Sequence, residues 1–123
     1  MGARSVTIDG KKFPSIFESE VYKLLKKECD KRAIELICQF RTVCLPHDHK
    51  GKAYPELMVK HKVDFAIPAL GVLVEAKGMA TTDYRRRAKW LVQFWMPYNT
   101  EYTRYVVVKR VRGWELQLKE LFN

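Results

Sequence analysis

Two carboxylates and an amine stand close together near the middle of the sequence. Asp64 lies in Val63-Asp64-Phe65, and Glu75 and Lys77 lie in Val74-Glu75-Ala76-Lys77-Gly78. Between them, Pro68-Ala-Leu-Gly71 has the composition of a hairpin turn joining two short apolar strands, His61 to Ile67 and Gly71 to Lys77. With the turn at Pro68 to Gly71, Ile67 faces Val72, Ala66 faces Leu73, Phe65 faces Val74 and Asp64 faces Glu75. The two carboxylates then become cross-strand neighbours, with Cβ atoms roughly 4.5–5.5 Å apart. Like charges so placed destabilise a sheet unless something compensates them. Lys77, two residues beyond Glu75, projects from the same face. Val63, Phe65, Ile67, Val72 and Val74 are expected to fill the opposite face and anchor the ribbon in the core.

A divalent cation is the natural compensator. Two carboxylates, a backbone carbonyl and waters make a hard oxygen site suited to Mg²⁺, for which Mn²⁺ can substitute. Such an ion holds a phosphate oxygen and lowers the pKa of a bound water. A neighbouring ammonium can orient that water, help deprotonate it, or neutralise charge developing on the phosphate. This is equipment for phosphodiester hydrolysis. From spacing alone, a surface salt-bridge cluster of Asp64, Glu75 and Lys77 is an equal alternative.

The elements that must position these groups are legible in outline. Ser15 caps a helix running to about Asp30, with Ile16, Phe17, Val21, Leu24 and Leu25 gathered on one side. Ile34 to Val43 alternates as a half-buried strand, with Ile34, Leu36, Cys38 and Phe40 on one face and Glu35, Gln39 and Arg41 on the other. Leu45 to Lys60 reads as a long irregular loop, free to move unless something binds it. Thr82 to Met96 is a helix with Tyr84, Ala88, Leu91, Val92 and Trp95 on one face, ended by Pro97. Tyr102 to Lys109 is a buried strand, and Trp114, Leu118, Leu121 and Phe122 mark a closing helix over about 113–122. The order αβββαβα, with a helical crossover before the last strand, implies an α/β domain with a mixed sheet flanked by helices, formed by residues 1–123 as one unit.

Composition narrows the partners. The 123 residues carry 23 Lys and Arg against 14 Asp and Glu, a formal charge of +9, which favours a polyanion such as nucleic acid over a membrane surface. No apolar run approaches the roughly 20 residues of a membrane span. The first twelve residues are polar and basic without the apolar stretch of a secretory signal. The three cysteines, Cys29, Cys38 and Cys44, suggest neither a disulfide framework nor a zinc site, and a reducing, cytoplasmic setting is expected.

Asp64 and the Glu75-Ala76-Lys77 tripeptide resemble the acid and E-x-K motif of the PD-(D/E)XK nuclease superfamily, whose core order αβββαβ matches the reading of residues 13–109. The segment is most similar to small phage-type endonucleases, including Holliday-junction-resolving enzymes. Ser15-Ile16-Phe17-Glu18 matches a Ser-x-x-Glu helix start found in several of them, and Asp9-Gly-Lys-Lys-Phe13 and Lys77-Gly-Met79 are similar to runs in phage proteins of this type. One departure is Val63 where many members have Pro before the acid. The resemblance implies a restriction-endonuclease-like core, Mg²⁺ held by Asp64, Glu75, Glu18 and the carbonyl of Ala76, and a catalytic role for Lys77. Ser15 and Glu18 also form a capping box that needs no metal, and Glu20 flanks the apolar stripe as well as Glu18 does; the motif favours Glu18.

Arg85, Arg86, Arg87 and Lys89 avoid the apolar face of their helix and make a positive rim for phosphate contacts, or a solvated face. Lys62, with Lys50, Lys52 and Lys60, could extend that rim, and Lys11 and Lys12 could touch DNA. His47, Asp48 and His49 are too tightly spaced for one well-formed zinc site and read as loop. Trp90, Phe94, Trp95 and Trp114 read as core or dimer contacts. The resemblance implies a Mg²⁺-dependent endonuclease leaving a 5′-phosphate; the expected enzyme is structure-selective for branched DNA and acts as a homodimer, since a junction needs two cuts. A restriction-like or mismatch-directed nuclease, an RNA substrate, and a basic DNA-binding module without catalysis are the alternatives.

Overall fold

A computed structural model describes residues 5–78, 82–98 and 101–123. Its fold is α/β: a mixed four-stranded sheet with helices, and a separate two-stranded ribbon at the start of the chain. The ribbon pairs β1 (Val6–Ile8) with β2 (Lys11–Phe13). Its turn is Asp9-Gly10, with φ of 55° and 74°, the positive values that a two-residue type I′ connection requires. The Asp-Gly pair between two short strands was a readable signal that apolar alternation, too brief here, does not reveal. The ribbon delivers Phe13 into the core against Tyr22 and Phe65.

Helix α1 (Ile16–Lys31) begins where the sequence places it, with Ser15 Oγ accepting the Glu18 amide at 3.1 Å. Strand β3 (Ile37–Cys44) starts three residues later than alternation suggests, because Ala33 turns the chain at φ 54° and Ile34 N bonds back to Cys29 O. The loop that follows is built rather than irregular. Asp48 Oδ1 accepts the amides of Lys50 and Lys52, His47 bridges to Ala53, and His47 packs on Phe94. Strand β4 (Val59–Ile67) therefore begins earlier than expected.

The hairpin from β4 to β5 (Val72–Lys77) has the expected register: Ile67 pairs with Val72, Ala66 with Leu73 and Phe65 with Val74. Gly71 makes the turn at φ 61°, and a Cβ there would sit 2.9 Å from the Glu101 carbonyl oxygen. Its own carbonyl accepts the amides of Thr103 and Arg104, which starts the final strand. Gly71→Ala is expected to cost about 2 kcal/mol from left-handed backbone and overlap together, measured by urea unfolding.

Helix α2 (Thr82–Trp90) continues as a π-turn over Leu91–Trp95 and a 3₁₀ turn over Met96–Tyr98. The wider π-turn shifts the apolar face: Leu91 is buried and Trp95 partly so, but Val92 faces solvent. The expected role of Tyr84 in that face lies outside the described side chains. Strand β6 (Arg104–Lys109) pairs parallel to β5, giving sheet order β3-β4-β5-β6. Helix α3 (Trp114–Lys119) and a 3₁₀ turn over Glu120–Phe122 close the chain. No described helix is long and apolar enough to cross a membrane.

Two apolar clusters cover the sheet. One joins α1 and α3 to Phe65, Ile67, Val72, Val74 and Val108. The other joins Leu91, Trp90 and Trp95 to Val63, Ala66, Leu73 and Tyr102. Val63 thus belongs with Leu91 and not, as alternation predicts, with Phe65; Phe40 likewise parts from Cys38. The cause is local. Cys38 pairs with Phe65 and Phe40 with Val63, but the pair between them, Gln39 and Asp64, is missing from the ladder, and Gln39 has φ 56°. A left-handed residue turns a strand about its axis, so both strands exchange faces at this point.

Candidate functional site

Asp64 sits where the sheet opens. Beyond Phe65 and Val74 the β4–β5 ladder stops, and Asp64 is not the simple cross-strand partner of Glu75 that the register implies. Instead its Oδ2 accepts the Ala76 amide at 2.8 Å, taking the place of a backbone carbonyl. Because the strands part and turn over here, side chains from both sides of the sheet meet in one place. Glu18 comes from α1; Glu75 and Lys77 come from β5.

Glu18 is buried, shares a hydrogen bond with the Asp64 carboxyl, and accepts from Gln39 Nε2 at 3.0 Å. Its side chain is committed to this cluster, so the Ser15–Glu18 pair forms only the hydroxyl half of a capping box. Glu20 lies away from the site, half-exposed and 3.8 Å from Arg110. Glu75 is wholly buried, with Oε1 2.5 Å from His61 Nε2 and Oε2 3.5 Å from Lys77 Nζ. Oε2 has no hydrogen-bond partner among the described residues.

Crowding sets the electrostatics. Burial, then the charges of Glu75 and Glu18, push the Asp64 carboxyl up to about 8, while the Ala76 amide and Lys77 oppose the shift. Glu18 is also raised, chiefly by burial, against the opposing effect of its Asp64 hydrogen bond and Lys77. At neutral pH a proton on Asp64 relieves part of the repulsion that a cation would also relieve.

No three acidic, histidine or cysteine side chains among the described residues stand arranged to hold a metal as they are. The donor set nevertheless fits a hard divalent ion. Three carboxylates converge, one buried oxygen lacks a hydrogen-bond donor among the described residues, and Asp64 keeps a proton that a cation would displace. Glu18, Asp64 and Glu75 are the side chains that would hold it. The Ala76 amide is engaged by Asp64, and its carbonyl is the remaining donor expected from the sequence.

Beside the acids lies a cleft of about 820 Å³. Gln39, His61 and Lys77 line it, each an immediate partner of Glu18 or Glu75, and its cations are Arg41, Lys60, Lys62, Lys77 and Arg87. Of the basic rim read on α2, Arg87 alone reaches this lining; Arg85 and Lys89 are exposed elsewhere, and Arg86 packs over the Trp90 ring at 5.5 Å. Helix periodicity places four cations on a polar face but not which one turns toward β3 and β4. Arg41, assigned by alternation to a solvent face, is a wall of the cleft. His61 was missed because strict alternation points it away from Asp64, and only the exchange of faces at the unpaired position brings it in; Gln39 was missed because the β3–β4 register that sets it opposite Asp64 is a long-range pairing. The loop histidines take no part: Asp48 is held low by the amides of its own turn. Trp90 and Trp95 pack in one core cluster and Trp114 in the other.

No curated protein and no solved structure matches the chain. The model of the family described as "Protein of unknown function (DUF1064)" matches residues 1–110, a stretch that holds every residue of the acidic site and the cleft. The chain belongs to the DUF1064 family.

Proposed function

We propose that the protein is a Mg²⁺-dependent DNA endonuclease with a restriction-endonuclease-like core of the PD-(D/E)XK type, cutting branched DNA such as a Holliday junction as a homodimer in the cytoplasm. The observation that carries this reading is the convergence of Glu18, Asp64, Glu75 and Lys77 beside a cleft lined by five cations. A non-catalytic DNA-binding module has no use for three mutually repelling carboxylates next to a phosphate path. When bound, the ion supplies a Lewis acid for the phosphate and a water of lowered pKa.

The chain's own groups do the rest. The Ala76 amide fixes Asp64, and Gln39 fixes Glu18, so the carboxylates are oriented before substrate arrives. Lys77, partly exposed at the cleft, places an ammonium where it can steady the attacking water and offset charge on the scissile phosphate. Arg41, Lys60, Lys62 and Arg87 bind flanking phosphates without reading bases.

The test is incubation of the protein with end-labelled four-way junction, linear duplex and single strand, each with Mg²⁺ and with EDTA. Symmetric cuts in the junction with Mg²⁺ alone are expected; no cleavage of any substrate rejects the reading. Light scattering with junction DNA should give the mass of a dimer. In salt titrations of DNA binding, Arg41→Gln together with Lys60→Gln should flatten the log–log slope by about two, and Lys89→Gln should leave it unchanged.

A further inference from the structure

We infer that His61 is a positioning residue that holds Glu75 as a ligand for the divalent ion; the inference rests on the nuclease reading above. His61 is 5% exposed and Glu75 is fully buried, so neither side chain is tied by water. Their contact, Nε2 to Oε1 at 2.5 Å, needs a proton between the two atoms. The imidazole supplies it from Nε2. The opposite tautomer would set a lone pair against a carboxylate and bury an Nδ1–H, and Nδ1 has no hydrogen-bond partner among the described residues.

The consequence is a division of labour between the two carboxylate oxygens. Oε1 is occupied by His61, whereas Oε2 has no hydrogen-bond donor among the described residues and lies 3.5 Å from Lys77. Without His61, the three-torsion side chain could rotate and engage the lysine with both oxygens, which would consume the ligand and the catalytic ammonium together. The histidine comes from β4 through the same exchange of faces that frees Asp64 from the β4–β5 ladder, so one backbone feature supplies both a ligand and the group that orients its neighbour. Groups that orient metal ligands in this way typically change affinity 10–100-fold when removed.

Mn²⁺ binding to the intact chain, measured calorimetrically without DNA, tests the inference. His61→Leu keeps the volume but removes the donor, and His61→Asn keeps an amide too short to reach Glu75. Each should weaken Mn²⁺ binding tenfold or more. His61→Gln, whose amide nitrogen falls near the position of Nε2, should bind within about threefold of wild type. A merely structural histidine would lower the unfolding temperature of the metal-free variants and leave the affinity of the folded fraction unchanged. Wild-type affinity in whichever of His61→Leu and His61→Asn folds overturns the inference and leaves the nuclease reading standing. Absence of Mn²⁺ binding to the wild-type protein overturns both.

Discussion

Asp64→Asn is expected to abolish Mg²⁺-dependent cleavage and, at the same time, to make the metal-free protein more stable above neutral pH. In the fold the carboxyl ionises only near pH 8, against an ordinary value of 3.8. Between those limits the native state keeps a proton that the unfolded chain releases. Stability therefore falls as pH rises from about 4 to about 8, by at most about 1.4 kcal/mol per pH unit, and levels off above. Asparagine mimics the protonated acid. Its carbonyl can accept the Ala76 amide, and its NH₂ can donate to Glu18. The variant should lose most of the pH slope, keeping the part due to Glu18, and gain at least about 2 kcal/mol at pH 8, or roughly 5–10 °C in Tm. Wild type should recover stability when Mg²⁺ is added, by about 1.4 kcal/mol at ten times Kd, and the variant should not. Thermal unfolding at pH 5 and pH 8, with Mg²⁺ and with EDTA, checks every part. A variant less stable than wild type at pH 8 would contradict the account of Asp64 as a strained, buried acid.

The second large effect is at Lys77. Lys77→Met should lower single-turnover cleavage of junction DNA by about 10²–10⁴-fold, the range lost when a positioned acid–base or charge-stabilising group is removed. DNA affinity should change little, because Arg41, Lys60, Lys62 and Arg87 remain along the cleft. Stability should also fall, since buried Glu75 loses the cation 3.5 Å from its Oε2 and is left with its contact to His61. A cost of about 1–2 kcal/mol is expected, moderated by the solvent that already reaches Lys77. Lys77→Arg keeps the charge but not the compact ammonium, and should restore stability better than rate. Cleavage by Lys77→Met within threefold of wild type would remove the lysine from the chemistry.

These two residues show how unevenly the site could be read from sequence. The Pro68–Gly71 turn dictated the hairpin register, because a short loop leaves the chain few ways to return and each apolar residue must find an apolar partner. That placed Glu75 and Lys77 on one face correctly. The cap at Ser15 set the start of α1, and with it the reach of Glu18. Helical and strand periods are local properties, so α1, β4, β5 and β6 could be drawn before any coordinates.

What the tertiary structure alone decided comes down to one unpaired position. A left-handed Gln39 opposite Asp64 reverses which side chains face which way, and no period of two can anticipate its own interruption. It moved Val63 and Phe40 to the other cluster, brought His61 onto Glu75, and turned Asp64 from a cross-strand partner into a side-chain cap on Ala76. The tertiary structure also brings Glu18 rather than Glu20, and Arg41 rather than Arg85, to the site, choices that depend on which groups other elements present there. Residue types and short-range spacing suggested the chemistry proposed above; the cost of burying charge, met only by neighbours distant in sequence, determined which side chains share the site.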